Sequence, residues 1–353
     1  MPLRRYPRHA TRSTRLRGLG RVAEPHYRPA MAILSALVLN GPHKARSLTD
    51  EAEIVAALRE PQLAWLHMQA DDPGTRPWIE ANLGFLDAVS LTALLQGETR
   101  PRAETLDAGA LVILRGVNTN PGADPEDMVS IRMWIDEHRI VTLSRRPLAS
   151  IAALRAEILA ARGPERAGAF LCRLIELINM RLETVLRDLE DRVDALESDV
   201  LGEPNQVLRQ GITDARQDVI LFRRFVAPQR DALTYLHRRQ VPPFLTKGDM
   251  RRLGEGLNRT VRVVEELDEF RDRLAVIRDE LTHLLSDRVS RNLYLLSVIS
   301  LIFLPLGFLT GLLGINVGGI PGGSDPVGFW VVCVVCAAVV GLVLALLRRI
   351  RWI

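Results

Sequence analysis

Leu293-Tyr-Leu-Leu-Ser-Val-Ile-Ser-Leu-Ile-Phe-Leu-Pro-Leu-Gly-Phe-Leu-Thr-Gly-Leu-Leu313 contains no Asp, Glu, Lys, Arg or His, in a chain of which 25% is charged. At about 1.5 Å per residue, a helix over this run spans the roughly 30 Å hydrocarbon layer of a bilayer. Val327 to Leu347 is a second run of the same length and equally without charge. Two membrane helices, 293–313 and 327–347, are therefore expected, joined by a loop at 314–326. Arg288 and Arg291 precede the first run, and Arg348, Arg349 and Arg351 follow the second. The loop has no Lys or Arg and a single acid, Asp325. The positive-inside bias then places the loop outside, and both termini, including the basic tail 348–353, in the cytoplasm.

Everything upstream is cytoplasmic on this topology. Residues 1–30 carry eight arginines and one glutamate, with no apolar stretch of signal-peptide length. They read as a basic disordered arm with no assigned function. In the segment 31–146, Ala32 to Leu39, Gln62 to Met68, Ala110 to Val117, Val129 to Ile135 and Arg139 to Leu143 are β-rich runs. Helical patterns lie between them near Asp50 to Arg59 and Pro77 to Leu95, which makes a small α/β domain. Gly41-Pro-His-Lys44 lacks the second glycine and the Lys-Ser/Thr of a phosphate loop and reads as a turn. His43, His67 and His138 have no pairing and no neighbouring nucleophile, so no enzyme and no cofactor is expected.

After Pro147 the pattern is helical throughout. Leu171, Leu174, Ile178, Leu182, Val185, Leu189, Val193, Leu196 and Val200 recur about every 3.5 residues, the period of a helix packed along a partner. Gly202 and Pro204 break that helix, and a second one to about Gln240 completes a hairpin within 147–248. Glu190, Asp191, Asp194, Glu197, Asp199 and Glu203 surround the turn, as a solvated face or as an acidic rim that concentrates cations. No proline occurs from Asp249 until Pro305, so a stalk helix, 249–313, runs from the cytoplasm into the bilayer. The fold class is thus an α+β cytoplasmic domain with a long helical stalk and a two-helix C-terminal transmembrane hairpin. Of the three cysteines, Cys333 and Cys336 have metal-ligand spacing but no further ligands nearby, and Cys172 stands alone, so small apolar packing is expected.

Two membrane helices cannot enclose an aqueous path, so a transporter of this topology must oligomerise. Asp279, His283, Ser286, Ser290, Leu293, Ser297, Ser300, Leu304, Gly307, Gly311 and Gly314 follow at steps of three or four and share one helix face. Spacing alone fits a helix-packing seam as well as a pore lining. In a pore, Ser297, Ser300, Gly307 and Gly311 line the path, and Leu293 and Leu304 are hydrophobic gates that close by dewetting. Asp279 and His283 form candidate metal rings one turn apart, a donor set suited to zinc; a surface pair is the alternative.

The stretch Phe303-Leu-Pro-Leu-Gly-Phe-Leu-Thr-Gly-Leu-Leu-Gly-Ile-Asn316 resembles the end of the first membrane helix of the CorA superfamily of divalent cation transporters. The family's Gly-Met-Asn signature stands here as Gly314-Ile315-Asn316. With the glycine-rich Val317 to Gly322 behind it, this is most similar to the zinc-transporting ZntB branch. The basic, Trp-containing end Arg348 to Ile353 also resembles the superfamily. The resemblance implies a bacterial inner-membrane homopentamer, with the first membrane helix around a central pore and Asn316 forming an external ring that meets a hydrated ion. It implies zinc uptake coupled to protons, and no nucleic-acid partner. Two departures are visible: Gly307 replaces the family's inner threonine, and Ile320-Pro321-Gly322 replaces Met-Pro-Glu, leaving Asp325 as the loop's only carboxylate. A magnesium, cobalt or nickel transporter of the same architecture is the near alternative, and a membrane-anchored sensor or scaffold without flux the distant one.

Overall fold

The computed structural model describes residues 32–349 apart from positions 98, 107–108, 201, 203–205, 240 and 315–325. The expected basic arm, and the tail beyond Arg349, lie outside the described residues. The chain forms two compact units, each assembled from separated segments.

The first unit comprises the chain up to Gly116, Val129–Leu177 and Ala232–Leu253. Its strands are β1 (Ile33–Val38), β2 (Ala64–Gln69), β3 (Arg102–Thr105), β4 (Ala110–Gly116), β5 (Val129–Ile135) and β6 (Arg139–Ser144). They make one sheet in the order β1-β2-β6-β5-β4-β3, parallel between β2 and β6 and antiparallel elsewhere. All five β-rich runs expected from the sequence are strands. The sixth, β3, is an edge strand whose Arg-Ala-Glu-Thr residues are exposed or half-buried, so no burial requirement wrote an apolar alternation into it.

Helices α1 (Glu51–Ala57), α2 (Thr75–Asn82) and α3 (Ala88–Leu95) supply Ile54, Ile79, Leu91 and Leu94 to a core shared with Leu66, Met68, Leu111, Trp134 and Leu143 of the sheet. Each such side chain, fully buried, contributes about 1.5–3 kcal/mol. The helical pattern over Pro77 to Leu95 is two helices rather than one. Asp87 breaks it by capping α3: its carboxylate accepts the Ser90 N–H at 2.7 Å and the Ser90 hydroxyl at 2.8 Å. Those hydrogen bonds hold the Asp87 carboxyl below its ordinary range. Gly41, at φ +74°, forms the expected turn, and the Lys44 N–H bonds its carbonyl at 3.3 Å.

Helix α4 (Ala149–Leu159) follows β6, and on the other side of β2 Trp65 meets Phe170 of α5 (Ala167–Val200) edge-on at 5.1 Å. Beside it His67 is buried, its Nδ1 3.0 Å from the Thr142 hydroxyl, which also accepts the Trp65 indole N–H at 2.8 Å. Burial pushes the imidazole down to about 4, against a smaller upward pull from Thr142. The folded state therefore keeps His67 neutral while the unfolded chain binds a proton below its ordinary 6.5. Stability is full above that value and falls as pH drops from 6.5 toward 4, by about 2 kcal/mol between pH 7 and pH 5. The unfolding temperature of the detergent-solubilised protein should fall over that interval, and His67→Gln should flatten this part of the decline. An unchanged slope in His67→Gln would assign the acid sensitivity elsewhere.

The second unit holds Val117–Met128, Ile178–Asp231 and the chain from Gly254. Here the later part of α5 packs with α6 (Gln206–Thr234) and α7 (Lys247–Leu313). Leu182, Leu189 and Val193 of α5 meet Ile212, Val219 and Phe222 of α6 and Val263, Leu267, Phe270 and Leu274 of α7. The 3.5-residue stripe seen in the sequence is the buried seam of α5. Polar links fix the register: Asn179 Nδ2 donates to Gly256 O at 2.9 Å, and the Arg223 guanidinium pairs with Asp268 at 2.6 Å. A five-residue π turn, Tyr235–Arg239, ends α6. The last helix, α8, covers Pro326–Arg349.

Candidate functional site

Burial on α7 stops at Leu281. Beyond it the helix continues unbroken through Pro305 to Leu313, and from Leu293 on it is apolar and almost wholly uncovered. Leu293, Ile299, Phe303, Leu304 and Phe308 are all exposed, as are Phe329, Trp330, Val334 and Leu342 on α8. A soluble core helix of such composition would be buried; these two are not, and so much contiguous apolar surface requires a bilayer or a partner around it.

Each apolar helix has one partly covered stripe. On α7 it comprises Tyr294, Val298, Ile302, Pro305, Leu306 and Leu309. With 3.6 residues per turn, this stripe lies roughly 150° from the line through Leu293, Ser297, Ser300, Leu304, Gly307 and Gly311. The small and mildly polar seam is therefore the face of α7 that its own chain leaves open: every one of those six residues is exposed. On α8 the covered stripe runs through Gly328, Val332, Cys336, Val343 and Leu347. Cys333 is exposed and Cys336 partly so, both as free thiols.

One of the seam's hydroxyls bonds back along the helix. Ser297 Oγ donates to Leu293 O at 2.8 Å, which leaves the hydroxyl's lone pairs directed outward from the helix. A Cβ built on Gly307 or Gly311 meets nothing within 4 Å. Among the described residues nothing demands glycine there, which leaves both positions open to a close helix approach. At the helix end the Gly314 N–H bonds Thr310 O at 2.9 Å, closing α7. Ile315, Asn316 and Asp325 of the expected external signature and loop lie outside the described residues.

Toward the other end, Asp279 and His283 are exposed and one turn apart on the seam line. Arg278 donates to Asp279 at 2.8 Å, an exposed pair of small energetic weight. Among the described residues, no group of three or more His, Cys, Asp or Glu is arranged to hold a metal. Around the α5–α6 turn the acidic face is partly neutralised within the chain, where Arg273 pairs with Asp194 and Glu197, while the face's one base, Arg192, pairs with Asp218 of α6. Cys172 is buried, donates to Asp249 O at 3.3 Å and is pushed up to about 12 by burial, so it is a packing thiol and not a ligand.

One charged residue escaped the sequence reading altogether. Arg132 interrupts the apolar strand Val129–Ile135 and is 1% exposed. The signal was present, a lone guanidinium in a strand buried on both faces, but no pattern ties it to a ligand until the register of the sheet is known.

The CorA-like Mg2+ transporter protein family matches residues 60–349. The divalent cation transporter CmaX of Pseudomonas aeruginosa is 36% identical over 328 residues, covering 91% of this chain and 97% of that protein. The zinc transport protein ZntB of Pectobacterium atrosepticum is 33% identical over 289 residues, covering 82% and 88%. The structure of full-length CmaX superposes with a TM-score of 0.78 at 35% identity, over 91% of this chain and 98% of that one. The complete CorA magnesium transporter of Methanocaldococcus jannaschii gives a TM-score of 0.71 at 21% identity, over 82% and 92%, a likeness of fold.

Proposed function

The chain belongs to the CorA-like family of transporters, and from that premise we propose that it takes up divalent cations, zinc foremost, through a homopentameric pore lined by the open seam of α7. The observation that carries this reading is the placement of that seam on the face opposite the covered stripe. Five copies arranged about an axis would enclose Ser297, Ser300, Gly307 and Gly311, with α8 on the outside against lipid. Both termini then lie in the cytoplasm, as the arginines flanking the two membrane helices require. Asn316 forms the outer ring, and Asp279 and His283 the inner ones, in a bacterial inner membrane.

Zinc is preferred over magnesium on two grounds. The Gly-Ile-Asn signature and the relatives named as zinc transporters point the same way. An imidazole beside a carboxylate also favours the softer ion. Magnesium, cobalt or nickel remain the second reading, which the family description and the broader name of the CmaX relative favour. Flux of each metal into proteoliposomes, with and without an inward proton gradient, separates the two: zinc influx accelerated by the gradient supports the first, and magnesium influx indifferent to it supports the second.

His283 is the residue through which a proton would compete with zinc, because only the neutral ring ligates metal. His283→Ala should weaken the pH dependence of zinc flux while leaving the oligomer intact. A full pH response in His283→Ala would make this histidine a surface group of the stalk.

A further inference from the structure

The register of the sheet gathers three arginines on one face. Arg132 of β5 stands opposite Ile113 of β4 and Leu143 of β6. Arg115 lies two residues beyond Ile113 and Arg145 two beyond Leu143, so all three share the α1–α3 side of the sheet. They converge on the segment that follows α3. Arg132 Nη2 donates to Gly97 O at 2.6 Å, Arg115 donates from Nε and Nη2 to Thr99 O at 3.2 and 2.9 Å, and the Arg145 guanidinium lies 3.5 Å from where a Cβ on Gly97 would stand.

Among the described residues, the Nε and Nη1 of Arg132 are buried with no hydrogen-bond partner, and so is the Thr99 hydroxyl. A guanidinium keeps its charge at any physiological pH, and a buried charge with unfilled donors is among the costliest features a fold can hold. Burial, then Arg145 and Arg115, push Arg132 down to about 10, with Asp71 pulling the other way. Water can fill an N–H but cannot balance the charge. An anion does both, and arginine forks match the oxygens of phosphate in pairs. Gly97 and Arg145 are exposed, so the cluster has a solvent side, while Arg132 itself is buried and an anion would reach its donors only if the segment after α3 gave way.

We propose that Arg115, Arg132 and Arg145, with the Thr99 hydroxyl, bind a phosphoryl oxyanion in the α/β unit, either free phosphate or the phosphate of a nucleotide. Arg132 supplies the buried donors and Arg145 closes the outer side. Glu98, between the two acceptor carbonyls, lies outside the described residues; were its carboxylate the occupant, added phosphate would find no site.

The test uses the intact detergent-solubilised protein with metal chelated, and reads its unfolding temperature against inorganic phosphate or ADP at ionic strength held constant with chloride. A saturable rise beyond that in chloride is expected. Arg132→Met should lose it entirely, and Arg145→Ala should shift its midpoint upward on the order of tenfold, the effect of one charge-assisted contact. Saturation by ADP at lower concentration than phosphate assigns the site to a nucleotide, and the reverse order assigns it to free phosphate; both uphold an oxyanion site. No rise beyond chloride in the wild type, or an identical rise in Arg145→Ala and Arg132→Met, overturns it. Should Arg132→Met fail to fold, the exposed Arg145→Ala decides alone.

Discussion

Replacing Asn316 by alanine is expected to reduce metal uptake at least on the order of tenfold while the oligomer stays assembled. The α7 helix ends at Leu313 and is closed by the Gly314 N–H returning to Thr310 O, so Asn316 follows three residues past its end in the sequence. A ring of amide oxygens at that position can accept hydrogen bonds from the water shell of an incoming ion. Hydrated capture suits divalent ions, which surrender water reluctantly. Each water-mediated contact is worth nearly as much as a direct one, and the substitution removes one from every subunit at once. Assembly should persist, because the exposed length of α7 and the apolar surface of α8 are untouched. Uptake at the wild-type rate in Asn316→Ala, with the oligomer verified by size-exclusion chromatography, would remove this residue from the path.

The opposite effect is expected at Leu304. Its side chain is 76% exposed on the open seam, one turn outward from Ser300. A leucine that prominent on a lipid-facing surface would be unremarkable, but on a pore axis a ring of leucines expels water and blocks ions without binding them. Leu304→Ser gives the constriction a wettable surface, and passive leak of divalent ions from liposomes should rise on the order of tenfold. Leak unchanged in correctly assembled protein would make this face a packing surface between helices.

Much of the fold was legible in the sequence because the bilayer and the core write strong periodicities. The charge-free runs at 293–313 and 327–347 appear as the exposed apolar parts of α7 and α8, and the stripe from Leu171 to Val200 as the buried seam of α5. The fold is CorA-like, as the Gly-Ile-Asn stretch implied. What escaped had no periodic signature: β3 is an exposed edge strand, and the division at Asp87 depends on a single capping carboxylate. The seam proposed as an ion path was legible only as a line of residues. That the line lies opposite the covered stripe of α7 required coordinates, because small residues at helical spacing read alike for packing and for a lumen. The Arg132 cluster was illegible for a further reason: its members come from β4, β5 and the residue after β6, and meet only through the sheet register.

The claim that the α7 seam lines a water-filled path for divalent ions is tested most directly by thiol accessibility. With Cys172, Cys333 and Cys336 replaced by alanine, a single cysteine is placed at Ser300 on the seam or at Ile302 on the covered stripe, and a charged, membrane-impermeant thiol reagent is added during metal flux into liposomes. The seam model predicts that Ser300→Cys reacts and that reaction stops the flux, whereas Ile302→Cys neither reacts nor loses transport. Rapid reaction at Ile302→Cys with Ser300→Cys inert would contradict it.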